Sequence, residues 1–333
     1  MTLDLQKYGV RTDLAVEARE LAQMHDRSPI PGVEEEVEQQ GDIKVTRLDV
    51  LNEEGSNRIG RIIGHYVTLE VPKLRNGDTT LQEQVTATFT NEMEDFIAKI
   101  GISKTAKVLI VGLGNWNVTP DSLGPLVVEN TMVTRQYFEL MPDQVSPGYR
   151  NVSAIAPGVL GLTGIETSET VQGIVERTKP ELIIAIDSLA SKSLERVNTT
   201  IQVADIGIHP GSGIGNKRKG ITKEILGVPC IAIGVPTVCY ASTIVNTTFE
   251  LMKAHFAKET DSGSQILGVL NDISEQERLG LVKEVLEPLG HDLIVTPKEI
   301  DDFIEDIANI IASGLNAALH EAVDLSNVAS YTH

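Results

Sequence analysis

Short, mostly apolar runs recur through the middle of the chain: Val108-Leu109-Ile110-Val111, Val152-Ser153-Ala154-Ile155-Ala156, Leu182-Ile183-Ile184-Ala185-Ile186 and Cys230-Ile231-Ala232-Ile233-Gly234-Val235. Runs of this length rich in β-branched residues predict strands buried on both faces, and amphipathic stretches between them, such as 168–178, predict covering helices. Alternation of the two predicts a three-layer α/β protein: a mostly parallel central sheet with helices on both faces. Before residue 72 the pattern changes. Residues 43–50 and 62–71 alternate apolar with polar positions around a turn predicted at 52–55, which reads as an N-terminal antiparallel β insertion. A helix is predicted over 81–100, and a helical tail over 275–323 carries Ile300, Phe303, Ile304, Ile307, Ile310 and Ile311 on one stripe. Near the N-terminus, Thr12 or Asp13 is placed to cap a helix with Leu14, Ala18, Leu21 and Ala22 on one face. Residues 1 to about 13 read as a mobile arm, and the acidic run Glu34 to Glu38 as solvated surface.

Composition narrows this picture. At 333 residues, 41% hydrophobic and 23% charged, the chain can bury a sizeable core. A net charge of -19 argues against a nucleic-acid or anionic membrane surface, since phosphate binding needs clustered Lys and Arg. The basic run Lys217-Arg218-Lys219 reads as a solvated loop. Cys230 and Cys239 sit in an apolar stretch, which suits buried thiols in a reducing cytoplasm and makes neither a zinc site nor a disulfide framework. No run of about 18 apolar residues and no cationic-then-apolar leader is visible, so neither a membrane span nor a signal peptide is expected.

The chemistry is expected where strands end. After Val111 the chain reads Gly112-Leu113-Gly114-Asn115-Trp116-Asn117-Val118-Thr119-Pro120-Asp121-Ser122-Leu123-Gly124-Pro125, and ligands of open α/β sheets bind outside the carboxyl ends of the strands. The run ending at Ile186 is likewise followed by Asp187-Ser188-Leu189-Ala190. Two carboxylates converging on one crevice can share a proton, one acting as base to a water and the other as acid. The competing reading is that each Asp caps the following helix. Asn115 is placed either to orient an Asp or to shape the turn. His209, in a glycine-rich loop, is a candidate to join the carboxylates at a metal or a surface histidine. The Gly-x-Gly lacks the third glycine of a dinucleotide fingerprint, and the P-loop, nucleophile-elbow and zincin motifs are missing from the sequence.

Four segments together carry a resemblance: 111–125, Ala156-Pro157-Gly158-Val159-Leu160-Gly161-Leu162-Thr163-Gly164, Ala185-Ile186-Asp187-Ser188-Leu189-Ala190, and His209-Pro210-Gly211-Ser212-Gly213-Ile214-Gly215-Asn216. They resemble the germination proteases of spore-forming bacteria, and Tyr8 to Glu17 resembles the zymogen segment of that family. The fold is similar to that of the hydrogenase-maturation proteases, phosphorylase/hydrolase-like in class, whose Gly-Asn…Asp-x-x-Gly loop matches Gly114-Asn115 and Asp121 to Gly124. The resemblance implies an endopeptidase that begins the degradation of small acid-soluble DNA-binding spore proteins during germination. It implies an atypical aspartic mechanism with Asp121 and Asp187 as the dyad, no cofactor, no direct nucleic-acid or membrane partner, a homotetramer, and a place in the forespore or spore core. The family's substrates are cut after an acidic residue that precedes an aliphatic or Phe residue and then Ala. Thr12-Asp13-Leu14-Ala15-Val16-Glu17 matches that pattern, which implies self-processing between Asp13 and Leu14: a propeptide over 1–13 and a single α/β peptidase domain over 14–333. Two rivals stay open, a metal-dependent maturation-type peptidase using Asp121, Asp187 and His209, and a non-catalytic binding protein.

Overall fold

The apolar runs lie side by side as strands of one sheet. The computed structural model describes residues 12–23, 28–208, 219–257, 267–268, 270–286, 288 and 292–324. Its strands are β1 (Val33–Gln40), β2 (Ile43–Val50), β3 (Gly64–Glu70), β4 (Val108–Gly112), β5 (Val152–Ile155), β6 (Leu182–Ala190), β7 (Thr200–Ala204), β8 (Cys230–Tyr240) and β9 (Ile294–Val295). They follow the order β1-β2-β3-β7-β8-β6-β4-β5, with β9 against the end of β8. The four apolar runs form the parallel half, β5-β4-β6-β8. All of β4 is buried, as expected for a parallel strand covered on both sides.

β8 joins the two halves of the sheet. One edge pairs in parallel with β6 and the other pairs antiparallel with β7, from which β3, β2 and β1 continue antiparallel. The N-terminal antiparallel strands therefore prolong the main sheet. Two of their neighbours escaped the sequence reading. Glu34 to Glu38, read only as solvated surface, belong to edge strand β1, whose side chains are mostly exposed, and a charged edge of this kind resists pairing with another chain. β7 is a five-residue strand placed between β3 and β8.

Because side chains alternate along strands, register assigns each residue to a face. On one face Ile110, Ile184, Ile186, Ile231, Ile233, Val203, Leu69 and Val45 pack with the helices Thr79–Lys99 and Ile300–Leu319. The first helix begins at Asp78, whose carboxylate accepts from the Thr80 and Leu81 amides at 2.9 and 3.2 Å. The apolar stripe of the second meets it so closely that a Cβ at Gly314 would strike the Phe89 ring. On the other face, Leu109, Val111, Ile183 and Ala185 pack with Val171 and Val175 of the helix Thr167–Thr178. Further along that face, Ala15 of the short helix Ala15–Ala22 covers Leu48, Tyr66 and Ala204.

Three local expectations are corrected. The turn predicted at 52–55 opens a helix, Glu53–Ile59: Asn52 accepts from the Gly55 amide at 3.0 Å and caps it. Neither Thr12 nor Asp13 caps the first helix, whose N-cap is Leu14 without a side-chain bond. Thr12 and Asp13, read as the end of a mobile arm, are anchored to the sheet, while residues 1–11 lie outside the described residues. Cys230 and Cys239 are free and buried, and burial pushes the Cys230 thiol up to about 12. Among the described residues no helix is long and apolar enough to cross a membrane.

Candidate active site

The loop after β4 is held by its own glycines. Gly112 and Gly124 pack backbone to backbone, and a Cβ on either would overlap the other segment. Gly114, at φ +117°, lies against the Asp121 carbonyl in a conformation that L side chains avoid. The Asn115 amide donates to that carbonyl at 2.8 Å, and Leu113 donates to Ile186 of β6 at 2.8 Å. The spacing Gly-x-Gly-Asn…Asp-x-x-Gly is thus the requirement for folding a loop flat against its own return. It sets Asp121 at the carboxyl edge of the sheet. The Thr237 hydroxyl of β8 fastens the same loop by donating to the Pro120 carbonyl at 2.6 Å.

Asp187 lies on β6, the strand beside β4, just beyond Ile186, to which the Asp121 loop is tied. Its carboxylate accepts from the Ser188 amide at 2.9 Å. Both Asp side chains are partly exposed. Neither caps a helix: the helix Leu123–Glu129 starts from Ser122, and β6 runs past Asp187 to Ala190. The capping reading of both is thereby set aside, and two carboxylates stand at adjoining strand ends with solvent access. Asn115 turns its side-chain oxygen to the Asn117 amide at 3.0 Å, so it shapes the turn. His209 lies outside the described residues. Among the described residues no group of three or more His, Cys, Asp and Glu side chains is placed to hold a metal.

Register extends the site sideways. Asp187 aligns with Gly234 of β8, Gly234 with Gln202 of β7, and Gln202 with Thr68 and Thr46 of β3 and β2, all on one face. The segment Thr12 to Glu17 lies over this row. The Asp13 amide donates to the Ala190 carbonyl at 2.9 Å, and its carboxylate accepts from the Ala190 amide at 2.9 Å. Gln202 accepts from the Ala15 amide at 2.6 Å and donates to the Asp13 carbonyl at 3.4 Å. Arg61 donates to the carbonyls of Thr12 and Leu14 at 2.7 and 3.2 Å. Leu14 is fully buried. Glu17, also buried, accepts from the Lys192 and Ser193 amides at 2.6 and 2.9 Å and pairs with Arg196 at 3.3 Å.

Burial raises the Asp13 carboxyl above the usual range, opposed by the Ala190 amide and by Arg61. Burial also pulls the Arg61 guanidinium down, against the pull of Asp13. For Arg196, burial works against the charge, but the Glu20 and Glu70 carboxylates outweigh it and keep it protonated. Asp13 and Leu14 are thus brought to the face that carries Asp187. Sequence reasoning missed Gln202, Arg61 and Arg196, whose one signal was the polar residue inside Ile201-Gln202-Val203.

The profile of a family described as germination protease matches residues 12–266 and 260–332. The chain belongs to the germination protease family. It is 49% identical to a germination protease of Bacillus cereus (strain ATCC 10987 / NRS 248) over 364 residues, covering 99% of each chain. A germination protease of Bacillus mycoides (strain KBAB4) is 49% identical over the same share, and one of Bacillus anthracis 48%. A NiFe hydrogenase maturation protease from Thermococcus kodakarensis KOD1 aligns at 22% identity and a TM-score of 0.24, over 43% of this chain and 78% of that one. Family membership makes the chain a peptidase of spore germination, not a non-catalytic binding protein.

Proposed function

We propose that this germination protease is an endopeptidase that hydrolyses peptide bonds with Asp121 and Asp187 as a proton-sharing pair, and that it removes its own residues 1–13 by cutting between Asp13 and Leu14. The observation that carries this reading is a coincidence of place. The segment whose sequence matches the family's cleavage pattern is docked on the face that holds Asp187, and the strand that carries Asp187 is tied to the loop that holds Asp121. One carboxylate takes a proton from water as the water oxygen bonds to the peptide carbon; the other protonates the departing nitrogen as the C–N bond breaks. Exposed Trp116 and Val118 after β4, and Leu162 and Ile165 after β5, border the same edge and supply apolar surface for an aliphatic or Phe residue of a substrate.

In the same reading the enzyme works in the spore core as a homotetramer. It begins the breakdown of small acid-soluble spore proteins by cutting after an acidic residue that precedes an aliphatic or Phe residue and Ala. The test is intact-mass measurement of the full chain held at mildly acidic pH with and without a chelator. Loss of 13 residues in both samples supports the carboxylate pair. Processing that stops with chelator and returns with added metal overturns it in favour of a metal-bound hydroxide.

A further inference from the structure

We propose that Gln202 is a substrate-positioning residue of this protease: its side-chain amide bridges the Asp13 carbonyl and the Ala15 amide, on either side of Leu14, and holds the Asp13 carbonyl on the face bearing Asp187. The inference rests on the self-processing reading above. Three features of the fold place Gln202 in this role.

The first is register. Gln202, Gly234 and Asp187 stand in one row across β7, β8 and β6, with side chains to the same face, so Gln202 and Asp187 are two strand spacings apart, roughly 10 Å between Cα atoms. Asp13 is anchored at one end to Ala190 and at the other to Gln202, and therefore crosses over β8 between them. Gly234 lies between Gln202 and Asp187 in that row and contributes no side chain. Its face is filled by Leu189 of the neighbouring strand.

The second is the pattern of bonds. The Gln202 oxygen accepts from the Ala15 amide at 2.6 Å and its nitrogen donates to the Asp13 carbonyl at 3.4 Å. These are the amide one residue past the bond to be cut and the carbonyl of that bond. A donor at this carbonyl is aimed where negative charge develops when water attacks, and such bonds are commonly long before the transition state and shorten in it. Arg61 spans the same stretch through the Thr12 and Leu14 carbonyls, so the peptide is held on both flanks of the carbonyl that Gln202 contacts.

The third is chemical selectivity within the row. Thr68 and Thr46, the other polar members, have buried hydroxyls without a partner among the described residues, whereas Gln202 alone of the three reaches the bound segment. The Gln202 amide offers an acceptor and a donor on one rigid plane, a reach and geometry that a threonine hydroxyl lacks.

The test uses the full chain, followed by intact mass in mildly acidic buffer with melting temperature alongside. Gln202→Leu removes both contacts at similar volume, and its processing should slow by about 10²-fold, the usual effect of losing one donor to a developing oxyanion. Gln202→Glu is the sharper probe and stands in if the leucine variant does not fold. It keeps the acceptor for Ala15, cannot donate while ionised, and donates again once protonated. Asp13, Glu17, Arg61, Tyr66, Lys192 and Arg196 are charged or titratable groups around the same segment, and Asp121 and Asp187 titrate with the reaction, so the readout is the ratio of variant to wild-type rate at each pH. That ratio should climb as pH falls toward the carboxylic-acid range. Wild-type rates in both variants, or an equal loss in both that follows melting temperature and does not recover in acid, overturn the role of Gln202 while self-processing stands. A wild-type chain that cleaves a Glu-Ile-Ala peptide yet never loses residues 1–13 overturns both.

Discussion

Phe89, Met93, Ile307, Ile311 and Leu315 close one face of the sheet with long helices and fully buried apolar side chains, whereas the opposite face of the antiparallel half rests under a helix of eight residues. On that face lie Thr46, Thr68 and Thr200, whose hydroxyls are buried without partners among the described residues, together with Gln202, while Arg61 and the helix's own Glu17 bring charge to its border. An unsatisfied buried hydroxyl costs about 1–3 kcal/mol, so a face selected for stability alone would have filled these positions with valine or alanine. The difference separates two tasks. The apolar face holds the sheet together, and the polar face provides donors and acceptors that an extended peptide can use. The candidate carboxylates Asp121 and Asp187 stand at the carboxyl edge of the parallel half, where the polar row ends.

The largest expected effect lies on the polar side and touches activity alone. Asp→Asn at Asp121 or Asp187 preserves size and most hydrogen bonds, so melting temperature should hardly move, while cleavage should fall by roughly 10²–10⁴-fold for either change. Because groups acting as a unit are far from additive, the double variant should lose little more than each single one. A folded Asp187→Asn protein that processes itself at the wild-type rate would remove Asp187 from the mechanism. The mirror experiment is Phe89→Ala on the apolar face. It opens a cavity against Gly314 and should cost about 3–5 kcal/mol of stability by chemical denaturation, with the folded fraction keeping its specific activity. Equal losses of activity per folded molecule in both variants would erase the division of labour.

A further consequence follows at the end of the helix Ile300–Leu319. His320 is fully buried, accepts from the Arg150 amide at 3.1 Å and stacks near Tyr149. Burial lowers its pKa to about 4 from 6.5. A histidine kept neutral by the fold leaves stability complete above its unfolded value and draws it down as pH falls from 6.5 toward 4. At 1.36 kcal/mol per unit this amounts to about 3 kcal/mol for the whole chain. His320→Gln retains an acceptor without the titration, and its stability should be flatter across that window in denaturant melts. An unchanged slope would assign acid sensitivity to other groups.

The sequence carried the parallel half well because its strands are continuous apolar runs, and it carried the Asp121 loop because the glycines that permit the fold are spelled out in the motif. β1 was hidden by its charge: Glu34, Glu35, Glu36 and Glu38 look like solvated coil, and only pairing with β2 makes them a strand. β7 was hidden by its shortness and by Gln202, whose partner segment lies 187 residues earlier in the chain. Asn52 looked like a turn residue because capping and turning use the same side-chain oxygen. What was illegible throughout was long-range: which polar side chain meets which backbone group cannot be read from periodicity, since periodicity reports only the face a residue occupies.

The smallest effect tests how lightly the polar face holds its peptide. Asp13 docks through its amide and carboxylate to Ala190, and burial raises its carboxyl above the ordinary value of 3.8. A carboxyl raised in the folded state favours docking most when protonated, so this contribution is complete below the unfolded value and is lost as pH rises through the folded one. The docked segment should therefore loosen as pH rises above the ordinary value of 3.8, with the apolar face unaffected. Asp13→Asn keeps an oxygen to accept from Ala190 and removes the charge. Global stability should move by no more than about 0.5 kcal/mol, because no apolar contact changes. The informative readout is hydrogen-exchange protection of the Ala190 amide, corrected for the intrinsic pH dependence of exchange. Wild type should lose protection across that window and Asp13→Asn should hold it nearly constant. Equal pH dependence in the two proteins would show that the charge of Asp13 does not control docking, and would leave Arg61 and Gln202 as the contacts that hold the segment in place.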